Sequence, residues 1–377
     1  MNSATASNGW PEHRLADGKP IRRVLFFGCN MSRSRCTGGL VDALRSHGLE
    51  VKWLNMATLR RRLGARLARS WARAVHRRYQ PDLVFVFHTA LPMELLSEFR
   101  AQTPTVLWME EALEGLDEQQ IDYLRQGHLV AMSNPARFPI LREHGLDNMI
   151  FEMSGFSPRF HHPVGPMRKR RDVAFIGASG KNSFRGEVLA AVSERFSTEI
   201  FGARWERWKD RSPRLKINGP IKPRGYRRVC ATSRIVIGLN EVNDDELYFS
   251  NRTWLTLACG GFHLTHYVPK LEKVFTDGEH LAWFDGIDEC LEKIEYYLAH
   301  DTERERIARM GHELAMAHHQ YAHRVSDILE ALSEIDSRGL RHGAYSEGEM
   351  PFPGLRAEGP GKKSAGAPRI STTPVAD

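Results

Sequence analysis

The chain has 377 residues, of which 41% are hydrophobic and 26% charged, a content that suits two ordinary domains with separate cores. No apolar run approaches the roughly 18 residues of a membrane-spanning helix, and the first 20 residues lack the apolar core of a signal peptide, so secretion by that route is not expected. The net charge of +7 favours anionic partners in general and does not choose among them.

The cysteine pattern indicates reduced thiols. There are five cysteines, an odd number, and no two of them form a C-x-x-C pair. This argues against a disulfide framework and against a zinc ribbon. Most of them stand in apolar surroundings, where a cysteine behaves as a small core residue. A cytoplasmic location is therefore expected.

The first half of the chain predicts an α/β domain over residues 21–165, after a disordered leader at 1–20. A buried strand at 24–27 is followed by a glycine-containing loop, a helix and a second strand at 51–54. This order within about 30 residues predicts a parallel βαβ unit. Further strands are predicted at 83–87, 105–109 and 129–132.

Polar side chains follow two of these strands directly. His88 ends the strand at 83–87, and Glu110 and Glu111 end the strand at 105–109. Ligands of open parallel sheets bind at this edge, and a histidine titrating near neutrality can accept a proton from a hydroxyl. A hydrogen-bonded histidine with only a structural role at the strand end remains the alternative for His88. Neighbouring residues in extended chain point in opposite directions, so Glu110 and Glu111 cannot both line one cleft.

An arginine-rich amphipathic helix is predicted at 57–79. Its apolar residues recur every four positions: Leu59, Leu63, Leu67, Trp71 and Val75. One interpretation is that this stripe covers the sheet and the arginines form a solvated face. The other is a peripheral contact with an anionic membrane or an acidic acceptor through residues 59–78. Nucleic acid is not expected as a partner, because no aromatic-basic interleaving supports it.

A second α/β series follows a Pro-, His- and Arg-rich linker at about 155–171, and a second domain is predicted over residues 166–338. Its strands are predicted at 173–176, 198–201 and 235–239, with later helices at 287–299 and 302–318. Residues 339–377 are rich in Gly, Pro and Ser with little apolar content, which predicts a disordered tail.

The loop at 177–185 follows the first strand of this second half and opens a helix. Its glycines allow the backbone to approach a phosphate, and Lys181 and Arg185 add positive charge. The glycine spacing fits neither a Walker A loop nor G-x-G-x-x-G, so a plain turn remains an equal alternative.

The segment 251–265 predicts a helix that ends at a glycine pair and enters a strand at once. Gly260 and Gly261 form the stop, and Arg252 stands at the helix start. A cation there is unfavourable to the helix dipole, which favours an anionic partner for Arg252 over a purely surface role. Asn240, Asn243 and Asn251 flank the segment and are candidates for nucleotide contacts or for turn caps.

Three histidines near the end of the second half have superficial metal spacing. His319 and His323 are four residues apart, but no H-E-x-x-H pattern includes them, and no metal site is predicted.

The order of these elements resembles the GT-B glycosyltransferases, most closely the group related to the spore maturation protein CgeB. The likeness rests on 172–177, 252–265, 275–279 and 321–324 in this order. It implies two Rossmann-like, doubly wound domains that face each other across a cleft. It also implies that 321–324 packs between the domains and holds no metal.

The resemblance implies a metal-independent enzyme that moves a sugar from a nucleoside-diphosphate sugar to an unknown acceptor hydroxyl, with no other cofactor. The implied donor-binding residues are Gly177, Lys181, Arg185, Asn240, Arg252, Gly260 and Gly261. The implied catalytic residues on the acceptor side are His88 and Glu110.

The sequence departs from the group at two positions. A glutamate that bonds the nucleotide ribose is replaced by Leu255, and the acidic residue of retaining members by Leu247. The acidic run 244–246 is a candidate substitute. The alternative to an enzyme is therefore a non-catalytic protein of the same fold that serves in binding or surface assembly.

Overall fold

The computed structural model of the chain describes residues 10–28, 35–180 and 183–334. Lys181 and the predicted tail at 339–377 lie outside the described residues. Residues 10–20, at the end of the predicted disordered leader, make local contacts. Arg14 forms a β-bridge with Pro20, and the ring of His13 is buried 2.9 Å from that of His47.

The N-terminal domain contains one fully parallel sheet in the order β2-β1-β3-β4-β5-β6. Its strands are β1 (Arg23–Phe27), β2 (Glu50–Leu54), β3 (Leu83–Phe87), β4 (Thr105–Met109), β5 (Leu129–Met132) and β6 (Met149–Phe151). Its helices are α1 (Arg35–Ser46), α2 (Met56–Tyr79), α3 (Met93–Arg100), α4 (Glu118–Leu124) and α5 (Phe138–Glu143).

The C-terminal domain contains a second fully parallel sheet in the order β12-β11-β10-β7-β8-β9. Its strands are β7 (Arg171–Ile176), β8 (Thr198–Phe201), β9 (Lys216–Asn218), β10 (Ser233–Gly238), β11 (His263–His266) and β12 (Ala282–Phe284). Its helices are α6 (Phe184–Arg195), α7 (Pro223–Thr232), α8 (Arg252–Ala258), α9 (Ile287–Ala299) and α10 (Asp301–His318), and a last helix, α11 (Tyr321–Ser333), follows them in sequence.

Both sheets are covered on both faces, as the continuous apolar strands predict. All five residues of β3 and all five of β4 are buried. Each sheet separates two apolar clusters, one on each face. The prediction of two doubly wound α/β domains is therefore confirmed. The sequence analysis missed the three-residue strands β6, β9 and β12 and the short helices α3, α4 and α5.

The apolar stripe predicted for α2 is not the face that the helix buries. Ala68, Ala72, Val75, His76 and Tyr79 form the buried side of its second part. Leu63, Leu67 and Trp71 are instead exposed to solvent. Gly64 adopts a positive φ of 79° and breaks the helix, so the two parts do not share one regular apolar face.

The last helix, α11, packs on the N-terminal domain although it follows the C-terminal one in sequence. Val325 and Ile328 are fully buried in the cluster that contains Phe26 and Phe85 of the N-terminal sheet. The residues before it contact the C-terminal domain, since the ring of His319 stacks on Trp254 at 3.9 Å. Although α11 falls within the predicted second domain, it therefore packs on the first sheet, and 321–324 lies between the two domains.

Candidate functional site

A cavity of about 480 Å³ opens between the two domains. Both domains contribute to its wall: Gly177, Ala178, Arg252 and Leu255 from the C-terminal domain, and Cys36 and Tyr321 from the N-terminal side. Asn251 spans this junction, because its Nδ2 donates to the Sγ of Cys36 at 3.4 Å. The cavity is large enough for a small organic ligand and lies where domain motion would change its width.

The cavity lies at the topological switch point of the C-terminal sheet. The strand order reverses between β7 and β10, which are neighbours in the sheet but not in the sequence. Gly177 directly follows β7, and Leu239 directly follows β10. Parallel sheets bind ligands outside the carboxyl ends of the strands at this point, because the connecting loops diverge there and leave a crevice.

Arg252 brings an uncompensated positive charge to this crevice. Its Nη2 donates to the carbonyl oxygen of Leu239 at 3.0 Å, and its guanidinium lies 5.6 Å from the ring centre of Phe175. The Nε is buried without an acceptor, and among the described residues no carboxylate lies within 4.0 Å of the group. Burial lowers the pKa of Arg252, which shows that its surroundings disfavour the charge. An anionic ligand would supply the missing partner.

The absence of a side chain at Gly177 makes room for this guanidinium. A Cβ at that position would lie 3.1 Å from the Nη1 of Arg252 and 3.0 Å from the ring of Phe175. Both distances are shorter than ordinary van der Waals contact. The glycine therefore permits the close approach of Arg252, and the predicted approach of a phosphate stays a prediction.

Arg185 lies behind the loop and does not line the cavity. Its side chain is buried, with Nε donating to the carbonyl oxygen of Leu239 at 3.0 Å and Nη1 donating to that of Ala178 at 3.3 Å. Glu241 forms an ion pair with it at 3.4 Å. Burial, followed by the neighbouring Arg252, lowers the pKa of Arg185 to about 10. The two arginines thus converge on the Leu239 carbonyl.

Two of the predicted asparagines, Asn240 and Asn251, form hydrogen bonds within the protein. Asn240 accepts a hydrogen bond from the backbone N–H of Ser250 at 2.9 Å through its Oδ1, so it holds the loop that leads to α8. Its Nδ2 is buried without a partner among the described residues. Asn240 is not part of the cavity wall, whereas Asn251 is.

Gly260 and Gly261 lie at the far end of α8 from Arg252. Neither lines the cavity between the domains. Gly260 has a positive φ of 69° and ends the helix, and a Cβ on Gly261 would press on Thr256 at 3.0 Å. Helix α8 separates them from Arg252, and donor binding by the two glycines stays a prediction. Their role is to end α8 and enter β11.

The acidic run 244–246 does not replace the missing carboxylates of the cavity. Asp245 forms an ion pair with Arg137 at 2.5 Å and accepts from the Nδ2 of Asn134 at 2.8 Å, which joins the two domains. Glu246 forms an ion pair with Lys270. Leu255 does line the cavity, as a buried side chain at the position where related enzymes are expected to carry glutamate.

His88 and Glu110 meet at the carboxyl edge of the N-terminal sheet. The Nδ1 of His88 lies 2.8 Å from the Oε1 of Glu111, and its Nε2 accepts the backbone N–H of Glu110 at 3.4 Å. Glu110 turns the other way and accepts a hydrogen bond from the hydroxyl of Tyr321 at 3.2 Å. Neither His88 nor Glu110 belongs to the cavity wall, but Tyr321 does. The two glutamates therefore have different partners, as extended backbone requires.

Burial gives Glu110 an unusual titration. It raises the pKa of the carboxyl from 4.5 to about 7, against the opposing effects of His88, Tyr321 and Cys36. The pKa of Glu111 is instead lowered, chiefly by its hydrogen bond with His88. Adjacent glutamates thus differ in their readiness to hold a proton at neutral pH, and only Glu110 approaches the range of a general base.

The histidines with metal spacing serve other roles. His319 is buried, with its Nδ1 2.6 Å from Nη2 of Arg324. The Nδ1 of His323 accepts the backbone N–H of Gln320 at 3.2 Å and so caps α11. Within the described residues, no group of three or more His, Cys, Asp or Glu side chains is arranged to hold a metal ion.

Sequence reasoning missed Cys36, Tyr321 and Tyr226 as residues of the cavity wall. Cys36 was interpreted as a core residue, and burial does raise the pKa of its thiol to about 12. Tyr321 lies at the start of α11 and reaches the cavity only because that helix crosses between the domains. No local sequence signal encodes such a contact.

Replacing Glu110 or Glu111 by glutamine should change the free energy of unfolding, and the two changes should depend on pH in opposite directions. Because the pKa of Glu110 is raised by folding, the stability that this group contributes is present below pH 4.5 and is lost as the pH rises through about 7. We expect Glu110→Gln to match the parent chain at pH 4 and to exceed it at pH 8 by up to about 3 kcal/mol.

Glu111→Gln is the matched control with the opposite sign. The pKa of Glu111 is lowered, so its contribution is present above its ordinary value of 4.5 and is lost on acidification through the folded-state pKa. This variant should be slightly less stable at pH 7, by less than about 1 kcal/mol for an exposed pair. Urea unfolding at both pH values measures the differences, and equal behaviour of the two variants would contradict the assigned environments.

The comparisons with known proteins identify the fold. Residues 185–330 match the family described as "Glycosyl transferase-like". No curated protein sequence matches the chain. Among solved structures, Anabaena Alr3699/HepE in complex with UDP-glucose matches with 13% identity and a TM-score of 0.60, over 83% of this chain and 100% of that chain.

Two further solved structures show the same likeness. Sucrose-phosphate synthase from Thermosynechococcus elongatus has 12% identity and a TM-score of 0.60, over 83% of this chain and 96% of its own. The DNA-modifying enzyme β-glucosyltransferase has 11% identity and a TM-score of 0.57, over 82% and 99%. With its two parallel six-stranded sheets facing a common cavity, the chain has the GT-B fold.

Proposed function

We propose that the protein is a glycosyltransferase that binds a nucleoside-diphosphate sugar between its two domains and transfers the sugar to an acceptor hydroxyl. The observation that carries this proposal is the unpaired guanidinium of Arg252 at the switch point of the C-terminal sheet. A diphosphate is a fitting partner, because it provides several acceptor oxygens and the negative charge that the described residues do not provide.

The comparisons support this choice of ligand class. The matched family segment, 185–330, includes both Arg185 and Arg252. The solved HepE structures hold UDP, UDP with glucose, or UDP-glucose. A UDP-type donor is therefore the first to test. The closer resemblance to the CgeB-related group is part of the proposal and rests on the sequence motifs.

In the proposed reaction, Arg252 stabilises the departing diphosphate. The acceptor oxygen forms a bond to the anomeric carbon, and the bond from that carbon to the diphosphate breaks with its electron pair. Negative charge grows on the phosphate oxygens beside the guanidinium, where fixed donors are most effective. Arg185 contributes positive potential from behind the loop and holds Ala178 in place. Lys181 remains a predicted donor contact from the sequence alone.

Glu110 is the proposed acceptor of the hydroxyl proton. It stands at the carboxyl end of β4 and contacts Tyr321, which forms part of the cavity wall. His88 is proposed to position this edge of the site, since it contacts both the Glu110 backbone and the Glu111 side chain. Domain closure would bring Glu110 nearer to the acceptor and exclude water, which protects the donor from hydrolysis.

Metal independence belongs to the proposal as well. Its support is that Arg252 can supply the charge stabilisation that a divalent cation supplies in other transferases. Donor cleavage that persists in excess EDTA would support this, and cleavage that EDTA abolishes and Mg²⁺ restores would contradict it.

Leu255 favours a second candidate, a non-catalytic protein with the GT-B fold that serves in binding or surface assembly. This apolar residue lines the cavity where a ribose-binding glutamate is expected, so one donor contact is missing. Calorimetry with UDP-, GDP- and dTDP-sugars separates the candidates. A protein without transferase function should neither bind these donors nor release nucleotide from them.

Replacing Arg252 by alanine should remove most donor recognition. We expect UDP affinity to fall at least about tenfold, because a charge-assisted hydrogen bond is lost, and nucleotide release from a responsive donor to fall by about 10² to 10³. Calorimetry and a nucleotide-release assay against mixed donors measure the two effects.

The matched control is Arg195→Ala. This arginine is exposed and forms an ion pair with Glu295 on the surface, away from the cavity wall. It should bind UDP as the parent chain does. Equal losses in both variants, or no loss in Arg252→Ala, would refute the assigned contact.

Glu110 should make the reaction faster as the pH rises through about 7. A general base acts in its deprotonated form, and burial raises the pKa of Glu110 to about 7. We therefore expect kcat/KM to rise with pH across this value. Glu110→Gln should lower it by about 10² to 10⁴ and abolish the rise.

The exposed Glu118→Gln, at the start of α4, is the control and should keep the pH profile. An unchanged profile in Glu110→Gln would show that another group accepts the proton.

A further inference from the structure

The outer face of α2 exposes three large apolar side chains to solvent. Leu63 is 42% exposed, Leu67 61% and Trp71 53%. Only six large apolar side chains of the described chain are more than a third exposed, and three of them belong to α2, with Leu63 just before the break at Gly64 and Leu67 and Trp71 after it. Single exposed apolar residues need no explanation, but three of them within nine residues of the chain mark a contact surface.

The packing of α2 fixes this orientation. Ala68 and Ala72 are buried against the N-terminal domain. Leu67 and Trp71 each precede one of these alanines, and one residue corresponds to about 100° of rotation around a helix. The small alanine side chains let the helix lie close to the sheet, while the large residues are turned away from it. Rotating the large residues inward would expose Val75 and Tyr79 or displace them.

The same face is surrounded by positive charge. The 24 residues of α2 include no Asp or Glu. Arg69 and Arg73 form ion pairs with Glu94 and Glu98. Six further arginines are exposed, and within the described part of the chain none of them has an ion-pair partner: Arg60, Arg61, Arg62, Arg66, Arg77 and Arg78.

We propose that this α2 face, formed by Leu63, Leu67, Trp71 and the six unpaired arginines, docks on an anionic lipid bilayer. A bilayer offers both an apolar layer for the large side chains and a negative surface for the arginines. Nucleic acid would match the arginines but not the two leucines. A second copy of the same face would place like charges opposite each other.

The α2 face lies on the membrane and does not cross it. Among the helices of the described residues, none is long and apolar enough for a membrane span. The exposed apolar side chains of α2 stand beside exposed arginines, as in an interfacial helix, in which the apolar side chains enter the boundary between headgroups and acyl chains.

Docking would leave the cavity accessible. The helix begins directly after β2, at the carboxyl edge of the N-terminal sheet, and this is the edge from which Glu110 and His88 extend. No residue of α2 lines the cavity. The proposal does not depend on the transfer reaction, since it rests only on the surface of α2.

Vesicle sedimentation with the full chain tests the proposal. The probes are vesicles of phosphatidylcholine alone and of phosphatidylcholine with 30% phosphatidylglycerol, a composition with about a third of its lipids anionic. We expect binding to the anionic vesicles at least about tenfold stronger, and a steep loss of binding between low and high salt.

Two variants separate the apolar and the electrostatic contributions. Leu63→Gln/Leu67→Gln/Trp71→Gln should lose binding to the anionic vesicles by at least about tenfold. Arg60→Gln/Arg61→Gln/Arg62→Gln/Arg66→Gln should lose the preference for anionic lipid. The control is Ile140→Gln/Tyr296→Gln, which changes exposed apolar residues elsewhere, at 42% and 38% exposure, and should bind as the parent chain does.

Folding and donor binding are measured in the same samples. All altered side chains are exposed, so the far-UV spectrum and the affinity for UDP should not change in any variant. Lost vesicle binding with unchanged UDP affinity supports the α2 face, whether or not the chain transfers sugar. The total tryptophan emission of the chain should shift to shorter wavelength on vesicles, and this shift should be smaller in Trp71→Phe.

Three results would overturn the proposal. The first is vesicle binding that the apolar triple variant retains in full. The second is a dimer in sedimentation velocity that the triple variant dissociates, which would assign the face to a second copy. The third is tight binding of duplex DNA, unaffected by the triple variant, together with no binding to vesicles.

Discussion

A guanidinium without a carboxylate partner is the constraint around which the candidate site is organised. Arg252 has its Nε buried and donates to one carbonyl oxygen, that of Leu239. Gly177 lacks a side chain where one would collide with it, and Arg185 uses the same carbonyl from the other side. Glu241 pairs with Arg185 and not with Arg252, and the neighbouring Arg252 contributes to the lowered pKa of Arg185.

The chain crosses twice between the two domains that form the walls of this crevice, and these crossings connect the walls. The linker at 152–170 leads from the N-terminal sheet to the C-terminal one, and α11 then returns to the N-terminal core. Arg324 connects these segments by its buried ion pair with Glu152 at 3.2 Å and its contact with His319. Tyr321, on the cavity wall, is part of the same return crossing. Any closure of the domains must therefore act on α11 as well as on the linker.

Much of the fold could be predicted from the sequence because its central strands are buried on both faces. In runs such as 83–87 and 105–109, polar residues do not alternate with apolar ones, so the sequence alone identifies these runs as buried strands. Three-residue edge strands such as β9 have no such run, and their position depends on a neighbouring strand. The predicted buried face of α2 is wrong. Leucines that recur every four residues resemble a buried stripe, whereas Ala68 and Ala72 are the residues that pack on the N-terminal domain.

A site residue could be predicted where the neighbouring sequence carries the signal, and could not be predicted where a distant contact brings it to the cavity. Arg252 could be found because its position at a helix start is unfavourable without an anion, a property that the local sequence contains. Gly260 and Gly261 are predicted to bind the donor, and their end of α8 also has a local explanation, because Gly260 adopts a positive φ there. Tyr321 and Cys36 could not be predicted, since they reach the cavity only through the docking of α11 and α1 on the N-terminal sheet.

The most direct test of this account is an experimental structure of the chain with UDP bound. The account predicts the pyrophosphate at the carboxyl ends of β7 and β10, with phosphate oxygens within hydrogen-bond distance of Arg252 and beside Gly177. A nucleotide bound away from this switch point, with Arg252 still lacking an anionic partner, would contradict it.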